Sequence, residues 1–136
     1  MSNLRLLSVF VENKPGFLAK ATKALADSNI NILWFKIIDG SENKFGIIRF
    51  MVDNTEAGFE TLKNHGFAVS MVPIIGVQSG DDCGTLAKIA EAFFAGNVDI
   101  RNGSSFYLNG QVVLMFETEQ MEIAIRILKE KGYNVI

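Results

Sequence analysis

Apolar positions along the chain change their period in a regular order. Leu4 to Val11 is an apolar, strand-like run that ends at the Pro15–Gly16 break. From Phe17 onward, Leu18, Ala21, Leu25 and Ser28 fall on one helical face, with Lys20 and Lys23 outside it. Asn29 stands where that helix should stop, at a position that tolerates left-handed backbone. Ile30 to Ile38 and Phe45 to Val52 then read as two strands joined by a turn at Gly40–Ser41–Glu42–Asn43. Asp53, with Glu56 three residues on, predicts a capping pair for a second helix. Gly66 ends that helix, and Phe67 to Val72 closes the series as a strand.

The series then runs again. Shifted by 68 positions, Gly16, Leu18, Ala19 and Lys20 coincide with Gly84, Leu86, Ala87 and Lys88, and Ala24, Asn29 and Ile32 with Ala92, Asn97 and Ile100. Beyond residue 40 the shift falls to 66, a turn two residues shorter; Phe50 then meets Phe116, Leu62 meets Leu128, Gly66 meets Gly132 and Val69 meets Val135. In this second copy the helical face reads Leu86, Ile89, Ala90 and Phe93. Ile100 to Leu108 and Val112 to Phe116 flank Asn109–Gly110, a two-residue hairpin signal. Met121, Ala124, Ile125 and Leu128 keep helical spacing, and Tyr133 to Ile136 is the last strand.

Self-similarity therefore divides the chain into units 1–72 and 73–136. The order βαββαβ, twice, predicts an α+β protein of two ferredoxin-like units, each an antiparallel sheet with both helices on one face. On the strand 45–52, Phe45, Ile47 and Met51 point one way, and Ile48, Phe50 and Val52 the other. Two apolar faces require two covers. Helices supply one, and a second chain is expected to supply the other in a homodimer.

Composition narrows the function. With 49% hydrophobic residues in 136, the chain can build a core and is not disordered. A net charge of −2 lacks the basic surplus of a phosphate-neutralising nucleic-acid binder. The stretch Asn43 to Phe50 resembles an aromatic RNA-binding consensus, but Lys44 and Ile47 replace its glycine and one of its aromatics. Cys83 and His65 are the only residues of their types, which excludes an internal disulfide and a Cys/His metal cluster. A thiol at a helix start can be reactive, yet Asp81 and Asp82 beside Cys83 oppose that. Neither a phosphate loop, a nucleotide fingerprint nor a catalytic carboxylate pair is present, so neither a cofactor nor an enzyme activity is expected. Without a signal peptide or a membrane-length apolar run, the expectation is a soluble, cytoplasmic protein.

The two strand-to-helix loops repeat: Glu12–Asn13–Lys14–Pro15–Gly16–Phe17–Leu18 and Gly80–Asp81–Asp82–Cys83–Gly84–Thr85–Leu86. A helix start presents free backbone N–H groups and a positive dipole end, which suit a carboxylate or phosphate. The same residues also serve a purely structural purpose, Pro–Gly making the turn and Asn13 capping the helix.

Val9 to Leu18, followed after a helix by Asn29–Ile30–Asn31–Ile32, resembles the ACT domain, whose pattern is an apolar strand, Asn or Asp, any residue, Pro–Gly, an apolar pair, a helix and a closing Asn–Ile. The resemblance spans the chain as two tandem copies. It implies units packed side by side that bind small effectors, most often amino acids, at their interface. By position, Asn13 and Asn31 match the polar residues that hold the amino acid, and Pro15, Gly16, Phe17 and Leu18 form the loop facing its carboxylate.

The second copy departs from the pattern: Asp81, Asp82, Cys83 and Asp99 replace Asn13, Lys14, Pro15 and Asn31. Adjacent carboxylates repel an anion, so this loop, with Gly84, Thr85 and Leu86, binds nothing, binds a cationic group, or uses Asp81 to hold an ammonium. The first copy is expected to supply the main anion-binding loop. The run Arg101–Asn102–Gly103–Ser104–Ser105, with Asn102 and Ser104, is unusually polar for a central strand where its counterpart Leu33 to Ile37 is not; it either completes the site across the interface or is a solvent-facing edge. The reading is a non-catalytic amino-acid sensor. The alternative is a regulatory subunit that docks on an amino-acid biosynthetic enzyme, in the manner of the small acetolactate synthase subunit.

Overall fold

Each half of the chain folds in the order expected. The computed structural model describes residues 4–12, 15–39, 45–80 and 83–136. Unit one contains β1 (Arg5–Glu12), α1 (Phe17–Asp27), β2 (Ile32–Asp39), β3 (Phe45–Val52), α2 (Thr55–Asn64) and β4 (Ala68–Pro73). Unit two contains β5 (Ile75–Ser79), α3 (Thr85–Ala95), β6 (Asn102–Leu108), β7 (Gln111–Glu117), α4 (Met121–Glu130) and β8 (Asn134–Val135). By packing the chain divides into Arg5–Val72 and Pro73–Ile136, and Leu4 belongs with the second, where its carbonyl accepts the Ile74 N–H at 3.0 Å.

The two antiparallel sheets have strand orders β2-β3-β1-β4 and β6-β7-β5-β8. Strands β2 and β6 are therefore edges of their sheets. The polar run entering β6 thus lies on a sheet edge, one of the two readings its polarity allowed, and an edge strand exposes one side of its backbone and tolerates polar residues. In unit one Leu7, Val9, Val11, Ile48, Phe50 and Val52 pack against Ala21, Ala24, Leu25 and Leu62 of the helices. In unit two Ile75, Val77, Leu114 and Phe116 pack against Ile89, Phe93, Ala124, Ile125 and Leu128.

The core faces of α1 and α3 are rotated from the expected ones. Ala21, Ala24 and Leu25 are buried in α1, and Ile89, Ala92 and Phe93 in α3. Leu18, Ser28, Leu86 and Ala90 are exposed. Leu18 and Leu86 are the second residues of their helices. On the helix-free face of unit one, Leu6 and Met51 are buried within the single chain, whereas Phe10 and Phe45 stack at 5.2 Å and stay exposed. The sheet's second apolar face is thus only partly open to a partner.

All four helices end alike. The amide of Ile30 bonds to the Leu25 carbonyl, Phe67 to Leu62, Val98 to Phe93 and Tyr133 to Leu128, at 2.8–3.0 Å. Each closure needs one left-handed residue, supplied by Asn29 and Asn97 (both φ 58°), Gly66 and Gly132. Asn109 and Gly110 also have positive φ, 52° and 79°, as the two-residue hairpin between β6 and β7 requires. The α2 cap differs from expectation: Asn54, not Asp53, caps the helix, its side chain accepting the Ala57 N–H at 3.1 Å. Asp53 instead accepts the Asn31 N–H at 3.0 Å.

Candidate ligand site

The helices α1 and α3 open in the same way. Gly16 and Gly84 occupy the N-cap positions of these helices in left-handed backbone, φ 104° and 92°. Nothing lies within 4 Å of where a Cβ would stand on either glycine, so the need for glycine here is the backbone twist and not crowding. Neither first turn carries an acidic side chain. A helix start of this kind has a positive dipole end, which favours an anion.

Around α1, Phe17 is half-buried with its ring edge-on to Phe67 at 6.5 Å, and Pro15 and Leu18 are exposed. Asn13 and Asp81 lie outside the described residues. Asn31 exchanges two backbone contacts with Asp53, its N–H donating to the side chain and its carbonyl accepting the Asp53 N–H at 3.0 Å, which fixes the entry into β2.

Unit two reaches the same end by other residues. The Asp99 N–H donates to Gln120 Oε1 at 2.8 Å, Gln120 Nε2 donates to the Asn97 carbonyl at 3.0 Å, and the Thr118 hydroxyl donates to the Asp99 carbonyl at 2.7 Å. Asp99 is exposed. The Asn102 amide is held by Glu117 Oε2 at 3.0 Å, so it points along its own hairpin.

Beside the start of α3 lies a cavity of about 310 Å³ lined by Leu86, Gly103, Ser104, Ser105, Leu114 and Phe116. Of the residues expected from sequence, it brings together Leu86 and Ser104, with Gly84 and Thr85 in the turn leading to it. Gly103 and Ser105 belong to the polar run singled out from sequence, whereas Leu114 and Phe116 are not among the residues expected from sequence. Register explains their convergence: Gly103 lies opposite Phe116 and Ser105 opposite Leu114, on the face covered by the helices. The signal was present in the repeat, because the 68-residue shift sets Gly103 and Ser105 on Phe35 and Ile37. In unit one, Phe35 lies opposite Phe50 and Ile37 opposite Ile48. Where one copy carries a phenyl ring and a branched alkyl chain, the other carries a hydrogen and a hydroxymethyl.

No chemistry of catalytic type gathers at either helix start among the described residues. His65 caps the end of α2 with Nδ1 2.7 Å from the Thr61 carbonyl, and Cys83 is exposed. Among the described residues no three His, Cys, Asp or Glu side chains form a metal-ligand group, and no helix is long and apolar enough to cross a membrane.

This geometry, a duplicated βαββαβ unit with a left-handed glycine at the strand-to-helix turn, is that of a tandem ACT protein. Residues 2–136 match the family described as the ACT domain pair, and the chain belongs to it. Among solved structures, it is similar to protein BT0572 from Bacteroides thetaiotaomicron, with 32% identity, a TM-score of 0.88, and coverage of 98% of this chain and 91% of that one. The regulatory subunit of aspartate kinase from Thermus thermophilus, in its ligand-free form, shares the fold at 18% identity and a TM-score of 0.61, with 93% and 90% covered. The corresponding subunit from Thermus flavus matches at 18% identity and 0.62, with 96% and 93% covered. No curated protein matches.

Proposed function

We propose that the protein is a non-catalytic, cytoplasmic regulator that binds an amino acid or a similar small metabolite at an ACT helix opening. The observation that carries this reading is the pair of strand-to-helix turns, each entering its helix through a left-handed glycine with no acidic side chain in the first turn. A carboxylate suits the positive end of such a helix. Membership of the ACT pair family and the fold shared with a regulatory subunit of aspartate kinase support a regulatory role. Occupancy would act by differential affinity for two poses of the protein.

A ligand of the native state raises the melting temperature by mass action, by about 2.7 kcal/mol of stability at a hundredfold excess over Kd. A thermal-shift panel of the twenty amino acids at millimolar concentration should therefore respond to one or a few. A flat response overturns the reading. We also propose a homodimer, supported by the exposed Phe10–Phe45 stack on the helix-free face. Light scattering should return twice 15.0 kDa, and a monomer mass at micromolar concentration would exclude it.

One observation favours a second reading, docking on an amino-acid biosynthetic enzyme such as acetolactate synthase. Along α4 runs an open groove of about 650 Å³ in which Pro73, Met121 and Ile125 are flanked by Glu122, Arg126, Lys129 and Glu130. An apolar strip with a charged rim has the anatomy of a protein interface. A flat thermal panel with an enzyme recovered by pull-down would favour it.

A further inference from the structure

The rim of the groove along α4 carries charges that nothing in the chain answers. Glu122, Arg126, Lys129 and Glu130 border its floor of Pro73, Met121 and Ile125. All four are exposed, and among the described residues none of them is in an ion pair. Unit one shows what is missing. At the 66-residue shift Glu122 and Lys129 fall on Glu56 and Lys63 of α2, and both of those have partners within unit one. Arg5 Nη2 reaches Glu56 Oε1 at 3.4 Å, and Lys63 Nζ lies 5.9 Å from the centroid of the Phe59 ring. At the 68-residue shift Arg5 itself falls on Pro73, and Phe59 falls on Ile125 at the shorter one. Unit two therefore has the same acid and the same base on its helix, with an apolar ring where unit one has the answering guanidinium.

Glu122 and Lys129 stand seven residues apart, about two turns, with Ile125 between them. A two-fold axis across a helix sets it antiparallel to its own copy and joins the same patch on both molecules. With the axis between Ile125 and Arg126, Glu122 faces the partner's Lys129 and Lys129 faces the partner's Glu122. The Arg126 stem then covers the partner's Ile125. A parallel pair would set every charge against itself. A rim of two acids and two bases attracts neither a uniformly acidic nor a uniformly basic surface, but reversed it complements itself.

We propose that two molecules of the protein associate through α4, antiparallel, with Glu122 and Lys129 as the reciprocal ion pairs over the Pro73–Ile125 floor. Two ten-residue helices make a small interface, so the contact is weak and reversible. It goes beyond the regulatory reading and uses none of the residues of the Phe10–Phe45 stack. If that stack also pairs molecules, loss of the α4 contact takes a tetramer to a dimer; if it does not, a dimer to a monomer. The mass halves either way.

The test is sedimentation of the full chain from micromolar to millimolar concentration, at low and high salt, with Glu122→Lys, Lys129→Glu, the double variant, and an equimolar mixture of the two single variants. Melts verify that each is folded. Association of the unaltered protein should weaken as salt rises. Each single variant opposes like charges at both ends and should weaken it about tenfold or more, whereas the double variant and the mixture restore opposite charges at both ends and should recover it. A mass that does not rise with concentration, that folded single variants leave unchanged, or that the mixture fails to recover overturns the α4 contact. If the single variants instead lose a captured enzyme while the unaltered protein shows no self-association, the groove belongs to the docking reading and this inference falls. None of these outcomes decides the amino-acid panel, which stands or fails by itself.

Discussion

In unit one, strand β2 sets Phe35 and Ile37 across from Phe50 and Ile48; in unit two, strand β6 sets Gly103 and Ser105 across from Phe116 and Leu114. The inner strands carry matching phenyl rings at Phe50 and Phe116, both facing the helices. The edge strands differ at the positions opposite them. Yet Phe50 is 0% exposed and fully part of the core, whereas Phe116 is 7% exposed and also walls a cavity. A duplicated fold keeps two cores because each unit needs one. One copy's edge is free to diverge, because an edge strand is held from one side and its packing matters least to the sheet.

Truncating the matched rings is the strongest way to break this comparison. Phe50→Ala removes a ring packed on all sides and should cost about 3–5 kcal/mol in denaturant unfolding. Phe116→Ala removes a ring that packs edge-on to Phe93 at 5.2 Å but has a void beside it, and it should cost less, at or below about 3 kcal/mol. Fewer contacts are lost where the neighbouring space is already empty. Equal losses at the two positions would show that the cavity does not relieve Phe116 and that the copies pack alike.

A smaller effect separates the jobs of the two residues that precede α2 and α4. Asn54→Ala exposes the Ala57 N–H and should cost about 1 kcal/mol, the usual worth of an N-cap. Its counterpart Gln120→Ala does not uncap α4. It releases the Asp99 N–H and the Asn97 carbonyl, two hydrogen bonds worth about 1–2 kcal/mol together. Amide exchange distinguishes the two: the Ala57 amide should speed up in the first variant and the Asp99 amide in the second. If Gln120→Ala leaves Asp99 as protected as before, the Gln120 side chain is not what holds the entry to β6.

The βαββαβ order, the repeat and the hairpin at Asn109–Gly110 were legible because each depends on local spacing or on one obligatory backbone conformation. The left-handed stops at Asn29, Asn97, Gly66 and Gly132 are of this kind. Neighbours in space were not legible. The cap at Asn54 was missed because Asp53 and Asn54 are equally good cap residues, and the choice was made by Asn31, far away in sequence, which binds Asp53. The polarity of Arg101 to Ser105 was visible and pointed to Ser104, but its place on a sheet edge depends on strand order, which periodicity does not carry. Leu86 was visible from the repeated loop. Leu114 and Phe116 read only as core, and nothing along the chain says that a core residue also borders a void. Copy-to-copy comparison of Phe35 with Gly103 was the one sequence signal for the cavity.

Gly103→Ala has the smallest expected effect on stability and the most telling sign. Glycine within a strand is destabilising because the unfolded chain has so much freedom to lose. Gly103 has ordinary rather than left-handed backbone, and a Cβ there finds normal contact distances. The substitution should therefore leave the ligand-free protein as stable as before or more stable, by about 0.5 kcal/mol. The same methyl group intrudes on the cavity that Gly103 lines and should weaken the binding of any small molecule seated there. Stability and binding would then move in opposite directions, which a residue retained for folding cannot do. If Gly103→Ala instead lowers the ligand-free melting temperature, the glycine is needed by the β6–β7 pairing, and the difference between the copies is one of packing and not of ligand.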